Sequence, residues 1–164
     1  MLYQPPLEAK YNEMPEGEVL DRIGGRKAEL GGRVCILGHH YQRDDVFRFA
    51  DLTGDSLKLS RLAAEFDAEF IIFCGVHFMA ESAEVLTGPG QAVLLPDMSA
   101  GCAMAEMADA DDVAEALERV RDAAGGSTPS SPHGGAKVLP ITYVNSSAAV
   151  KAATGRAGGA CCTS

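Results

Sequence analysis

The sequence predicts an α/β fold built on a parallel sheet, and three observations lead there. Short apolar runs recur at 33–37, 70–74, 92–95 and 138–142. They are nearly continuous rather than alternating, the mark of strands covered on both faces. Between them lie stretches with apolar residues at three- and four-residue spacing, so strands alternate with helices and the sheet should be parallel with helices on both faces. Finally, the residue types that carry chemistry cluster just after the runs, and in such sheets ligands sit outside the carboxyl ends of the strands.

Taken in order, residues 1–15 contain Pro5, Pro6 and Pro15 with little periodicity and read as an irregular lead-in. Val19, Leu20, Ile23 and Leu30 offer a loose helical face that Gly24-Gly25 should break. The first strand is Arg33-Val34-Cys35-Ile36-Leu37, followed by the loop Gly38-His39-His40-Tyr41-Gln42 and a short helix over 44–52. Asp55 or Ser56 caps a second helix with Leu59, Leu62, Ala63 and Phe66 on one face. Phe70–Cys74 is the next strand, Gly75–Phe78 its loop, and Met79–Leu86 a helix. Ala92–Leu95 is a third strand, and the loop 97–101 delivers Cys102. A helix over 111–124 carries Val113, Ala116, Leu117 and Val120 on one side. Residues 125–136 form a low-complexity loop holding a solvated His133. Val138–Thr142 is a fourth strand, Asn145 or Ser146 caps a helix to about 153, and 158–162 opens a fifth strand.

Composition narrows the function. A formal net charge of -9 with a pI near 4.8 argues against nucleic acid, because such a chain does not neutralise phosphates. No apolar run reaches about 18 residues, so no membrane-spanning helix is expected. The first residues lack the basic and apolar regions of a signal peptide, which points to the cytoplasm. There the 5 cysteines are not expected to form a disulfide framework. No GxGxxG follows the first strand and no GxxxxGK[ST] occurs, so a dinucleotide or nucleoside triphosphate site has no support.

Each candidate residue has a chemical reason beside a plainer one. His39, next to a strand end, suits proton transfer or carboxylate binding, or is bonded to a nearby carbonyl. His40 should point to the opposite side on an extended loop, so the pair would not chelate one ion. Tyr41 and Tyr143 bring phenolic donors after strand ends, although buried tyrosine is more often core. Ser56 is either a helix cap or, with the free N–H groups of a helix start, a carboxylate or phosphate contact. Cys102 sits in a loop among Ala100, Gly101 and Ala103, which leaves room for an inorganic group beside its thiolate. Cys35 and Cys74 read as small buried hydrophobes, and Cys162 as facing core. A metal hydrolase using His39, His40 and His77 lacks HExxH spacing.

Together these stretches resemble the quinolinate synthase family. The resemblance rests on Gly38–Gln42, Ala50–Leu57, Phe73–Ala83, Leu95–Asp97 with Ala100–Ala105, Tyr143–Ala152 and Cys162–Ser164, in family order across nearly the whole chain. It implies condensation of iminoaspartate (iminosuccinate) with dihydroxyacetone phosphate to give quinolinate, a transferase step in NAD biosynthesis. It further implies a [4Fe-4S] cluster as Lewis acid, with Cys102 the first of three cysteine ligands and the other two beyond residue 164. His39, Ser56, Tyr143, Val144, Asn145 and Ser164 match positions that bind the iminoaspartate carboxylates, and Tyr41 a tyrosine of the proton transfers. L-aspartate oxidase is the implied supplier of iminoaspartate. The family fold has three pseudo-symmetric three-layer αβα units, of which 1–102 would be the first and 103–164 an incomplete second. The contrasting expectation is a non-catalytic carboxylate-binding fragment without the cluster.

Overall fold

The computed structural model describes residues 6–124 and 138–163, so the expectations for His133 and Ser164 lie outside the described residues. The fold is α/β with parallel pairing throughout its described strands, and it divides into two compact units, Met1–Ala100 and Gly101–Ser164.

The first unit opens with a single turn, α1 (Ala9–Asn12), and then α2 (Glu16–Leu30), which runs unbroken through Gly24-Gly25. Two glycines cost a helix about 1 kcal/mol each against alanine, too little to break a turn held on both sides. The helix stops instead at Gly31, whose φ of +54° suits glycine and whose N–H bonds the Lys27 carbonyl. A four-stranded sheet follows in the order β2-β1-β3-β4, with β1 Val34–His39, β2 Leu52–Gly54, β3 Phe70–Cys74 and β4 Ala92–Leu94. Its helices are α3 (Asp44–Phe47), α4 (Ser56–Glu65) and α5 (His77–Leu86).

Three expectations are corrected here. The strand β1 extends through Gly38 to His39, and residues 52–54 form β2 rather than the end of a helix. Leu52-Thr53-Gly54 is too short and too polar to read as a strand alone; its backbone is recruited by the free edge of β1, with Leu37, Gly38 and His39 opposite Leu52, Thr53 and Gly54. Likewise His77 begins α5 instead of lying in the preceding loop.

All six residues of β1 are buried, as its continuous apolar run predicts. Along β1 and β3, side chains alternate between the two faces. Cys35, Leu37, Ile71 and Phe73 are fully buried on one face, while Val34, Ile36, Ile72 and Cys74 line a cleft of about 550 Å³ with Val19, Leu20 and Ile23 of α2 and Val46 of α3. On the well-filled side α4 and α5 pack on each other through Leu59, Ala63, Phe78 and Ala83, all buried.

In the second unit, α6 (Ala110–Ala123) precedes β5 (Ile141–Tyr143), α7 (Ala148–Arg156) and β6 (Ala160–Cys162). The strands β5 and β6 pair in parallel with Thr142 opposite Cys161 and Tyr143 opposite Cys162. The cap of α7 is Ser147, not Asn145 or Ser146: its side chain accepts from Val150 N–H. Cys162 is exposed, contrary to expectation, because β6 is an edge strand with all three residues exposed.

Candidate functional site

In the first unit the site begins where β1 ends. His39 is its last residue, only 5% exposed, and its Nε2 lies 3.4 Å from the Ser56 hydroxyl. Two local features bring these side chains together. Opposite His39 in the sheet is Gly54, two residues before Ser56, so β2 delivers the start of α4 beside the end of β1. The cap is Asp55, whose carboxylate accepts from Lys58 N–H at 2.9 Å, so Ser56 is spared that duty and its hydroxyl turns to His39. The carbonyl of Ser56 is held in turn by the Ser60 hydroxyl at 2.9 Å.

After His39 the chain turns back, with Gln42 N–H donating to the His39 carbonyl. This turn overturns the expectation for His40. Its ring does not point away but lies 4.2 Å from that of His39, with Tyr41 on the same imidazole at 4.0 Å. The Tyr41 hydroxyl reaches Met79 Sδ at 4.0 Å while the ring stays half exposed. Burial, and then the neighbouring His40, hold the His39 imidazole below its usual range, although Asp55 opposes this. Nδ1 of His39 is buried with no hydrogen-bond partner.

Within the second unit, Cys102 is half-buried and a free thiol. Asn145 Nδ2 donates to its sulfur at 3.8 Å, and the Glu106 carboxylate accepts from Cys102 N–H at 3.2 Å, folding the loop around the thiol. Tyr143 ends β5 and Asn145 follows two residues later. Val144 is buried, and both its peptide groups are engaged, its N–H with the Cys162 carbonyl and its carbonyl with Ser146 N–H. It can shape a site only as a wall. Among the described residues no group of three His, Cys, Asp or Glu gathers to hold a metal ion. Cys102 could serve a cluster only as one ligand of several, as a free, half-buried thiol with an amide donor at its sulfur.

The sequence offers Asp55 and Ser56 as caps, and Asp55 takes the role, which frees Ser56. One residue escaped sequence reasoning: Asp51 accepts Ile36 N–H at 2.8 Å while pairing with Lys27 at 2.6 Å, which pins the chain entering β2 to β1.

Comparison with known proteins decides the family. Residues 21–164 match the family model described as Quinolinate synthetase A protein. The chain belongs to this family. A quinolinate synthase from Halalkalibacterium halodurans is 52% identical over 155 residues, covering 94% of this chain and 40% of that protein. Those from Herpetosiphon aurantiacus and Nocardioides sp. are 55% and 56% identical over 147 residues, covering 90% and 89% of this chain but 37% and 35% of theirs. The chain thus spans about two fifths of the length of these quinolinate synthases. The motif at the end of β1, read above as family-like, lies inside the matched region. No described helix is long and apolar enough to cross a membrane.

Proposed function

We propose that the chain is the N-terminal portion of a quinolinate synthase, a cytoplasmic enzyme that condenses iminoaspartate with dihydroxyacetone phosphate, releasing phosphate and two waters. The observation that carries this reading is the His39–Ser56 pair at the carboxyl end of β1, in a chain whose relatives are quinolinate synthases. An imidazole and a hydroxyl side by side, next to the start of a helix, make a set of hydrogen-bond donors matched to a carboxylate. In this reading His39, Ser56, Tyr143, Asn145 and Ser164 bind the iminoaspartate carboxylates, with Val144 as a wall. Tyr41, a half-exposed phenol stacked on His39, moves protons during the condensation.

Cys102 would be one of three cysteine ligands of a [4Fe-4S] cluster, whose open iron supplies Lewis acidity toward substrate oxygens or nitrogen. Asn145 would hold the Cys102 sulfur in place through its amide. The two remaining ligands, and the further αβα units of a pseudo-symmetric whole, belong outside residues 1–164. An oxidase acting on L-aspartate is the fitting supplier of the unstable imine.

Anaerobic reconstitution with iron and sulfide tests this. The chain joined to the remaining length of a relative should take up a cluster with broad visible absorbance, and Cys102→Ser should lose most of it. Equal iron and absorbance in the two proteins would leave only a carboxylate-binding fragment.

A further inference from the structure

We propose that His39 is fixed as the neutral tautomer carrying its proton on Nε2, a donor shared between Ser56 and the ligand, which leaves the Ser56 proton for the ligand as well. That the ligand is a carboxylate rests on the reading above; the tautomer itself does not.

The argument starts from the orphaned atom. An imidazole has three proton states, and two of them, the imidazolium and the Nδ1–H tautomer, put a proton on Nδ1. That nitrogen is sealed from solvent with no acceptor, so either state strands a buried N–H and forfeits the hydrogen bond it would make in water. The Nε2–H tautomer strands only a lone pair, and buried acceptors tolerate this better than buried donors. Its N–H faces the Ser56 oxygen, with Nε2 and Oγ 3.4 Å apart.

Charges nearby do not reverse the choice. Asp55 favours a proton on His39, but its carboxylate is committed to Lys58 N–H. His40 stacks on the ring, and the Lys58 stem lies against Gly54, the sheet partner of His39. Tyr41 covers the ring, Cys74 of β3 lies on the opposite face of the sheet, and on α5 His77 faces Glu81 at 3.8 Å. Burial also pushes the imidazole toward its neutral form.

The consequence falls on Ser56. A hydroxyl has one proton. If Nε2 were bare, Ser56 would spend that proton on His39 and present only lone pairs to a carboxylate. With Nε2 protonated, the Ser56 proton is released to the ligand. The same assignment removes His39 as a general base, because its only bare nitrogen is buried, and leaves proton traffic to Tyr41.

The test is a two-bond ¹H–¹⁵N spectrum of the chain with ¹⁵N-labelled histidine and no ligand. The His39 signals are assigned by their loss in His39→Gln and, should that variant misfold, by elimination with His40→Gln, His77→Gln and His133→Gln. The expected pattern is protonated Nε2, bare Nδ1 and a mainly neutral ring at a pH of about 6.5, where an ordinary imidazole is half charged. Ser56→Ala should keep it, because burial of Nδ1 is the cause. An Nδ1–H pattern, or half-charging at the ordinary pH, would overturn the proposal. L-malate, a stable dicarboxylate, then probes the ligand separately. Its affinity should change less than twofold between that pH and one about a unit higher, and a tenfold gain toward the lower pH would overturn the neutral assignment. Absence of malate binding with the expected spectrum defeats the carboxylate reading and leaves the tautomer standing.

Discussion

At the scale of single residues, the buried imidazole and the cysteines make opposite demands on pH. The unfolded chain takes up a proton at His39 near about 6.5, whereas the folded chain resists it because the ring is buried. The unfolded state therefore binds more protons below that pH, so stability should fall as pH drops through it, until the folded imidazole titrates too. Urea unfolding on either side of this pH should show the loss, and His39→Gln should flatten it. Among the thiols, burial pushes Cys35 up to about 11, and Cys74 and Cys161 upward as well. Brief iodoacetamide treatment at mildly alkaline pH, read by mass spectrometry, should label half-buried Cys102 and exposed Cys162 well before Cys35. Rapid labelling of Cys35 would mean that β1 is not seated in the core.

At the scale of elements, the site depends on β1 meeting the chain that enters β2. Asp51 ties them through Ile36 N–H and through Lys27 of α2, whose ammonium also reaches the Phe49 carbonyl at 2.6 Å. Asp51→Ala removes the acceptor of a part-buried N–H and leaves the Lys27 ammonium only the Phe49 carbonyl, and should cost about 1–3 kcal/mol in urea unfolding. Gly38→Ala should cost a similar 1–3 kcal/mol, roughly, by overpacking, since its Cβ would meet the Ala50 Cβ at 2.8 Å. How much of this was legible in the sequence follows from the same elements. Buried strands such as β1 and β3 announce themselves through uninterrupted apolar runs, so the parallel sheet and the placing of His39 near a strand end could be read directly. A three-residue edge strand such as β2 carries no such run and forms only because a neighbour offers its edge. The stacking of His40 on His39 depends on a turn set by tertiary packing, and the choice of Asp55 over Ser56 as cap depends on which hydroxyl has a better partner nearby.

At the scale of the whole molecule, the two units differ in how much they bury. The first has a core of Leu37, Leu59, Ile71 and Phe73, all fully buried, whereas α6 buries no residue and every residue of β6 is exposed. Leu139, just before β5, and Ile141, its first residue, are 60% and 62% exposed, and Met107 82%. Hydrogen exchange should therefore find the slowest amides in β1 and β3 and markedly faster ones in α6, β5 and β6. Uniform protection across both units would contradict this. Apolar surface on that scale also favours self-association of the chain when isolated, measurable by light scattering against concentration. The central claim concerns chemistry, and it is tested most directly by quinolinate formation. The measurement is anaerobic turnover of iminoaspartate and dihydroxyacetone phosphate by the chain joined to the remaining length of a relative, with and without Cys102→Ser. The account predicts quinolinate from the parent and a loss of at least about a hundredfold in the variant, since changing even the outer partners of metal ligands costs about ten- to a hundredfold. Undiminished quinolinate from the Cys102→Ser protein would contradict it.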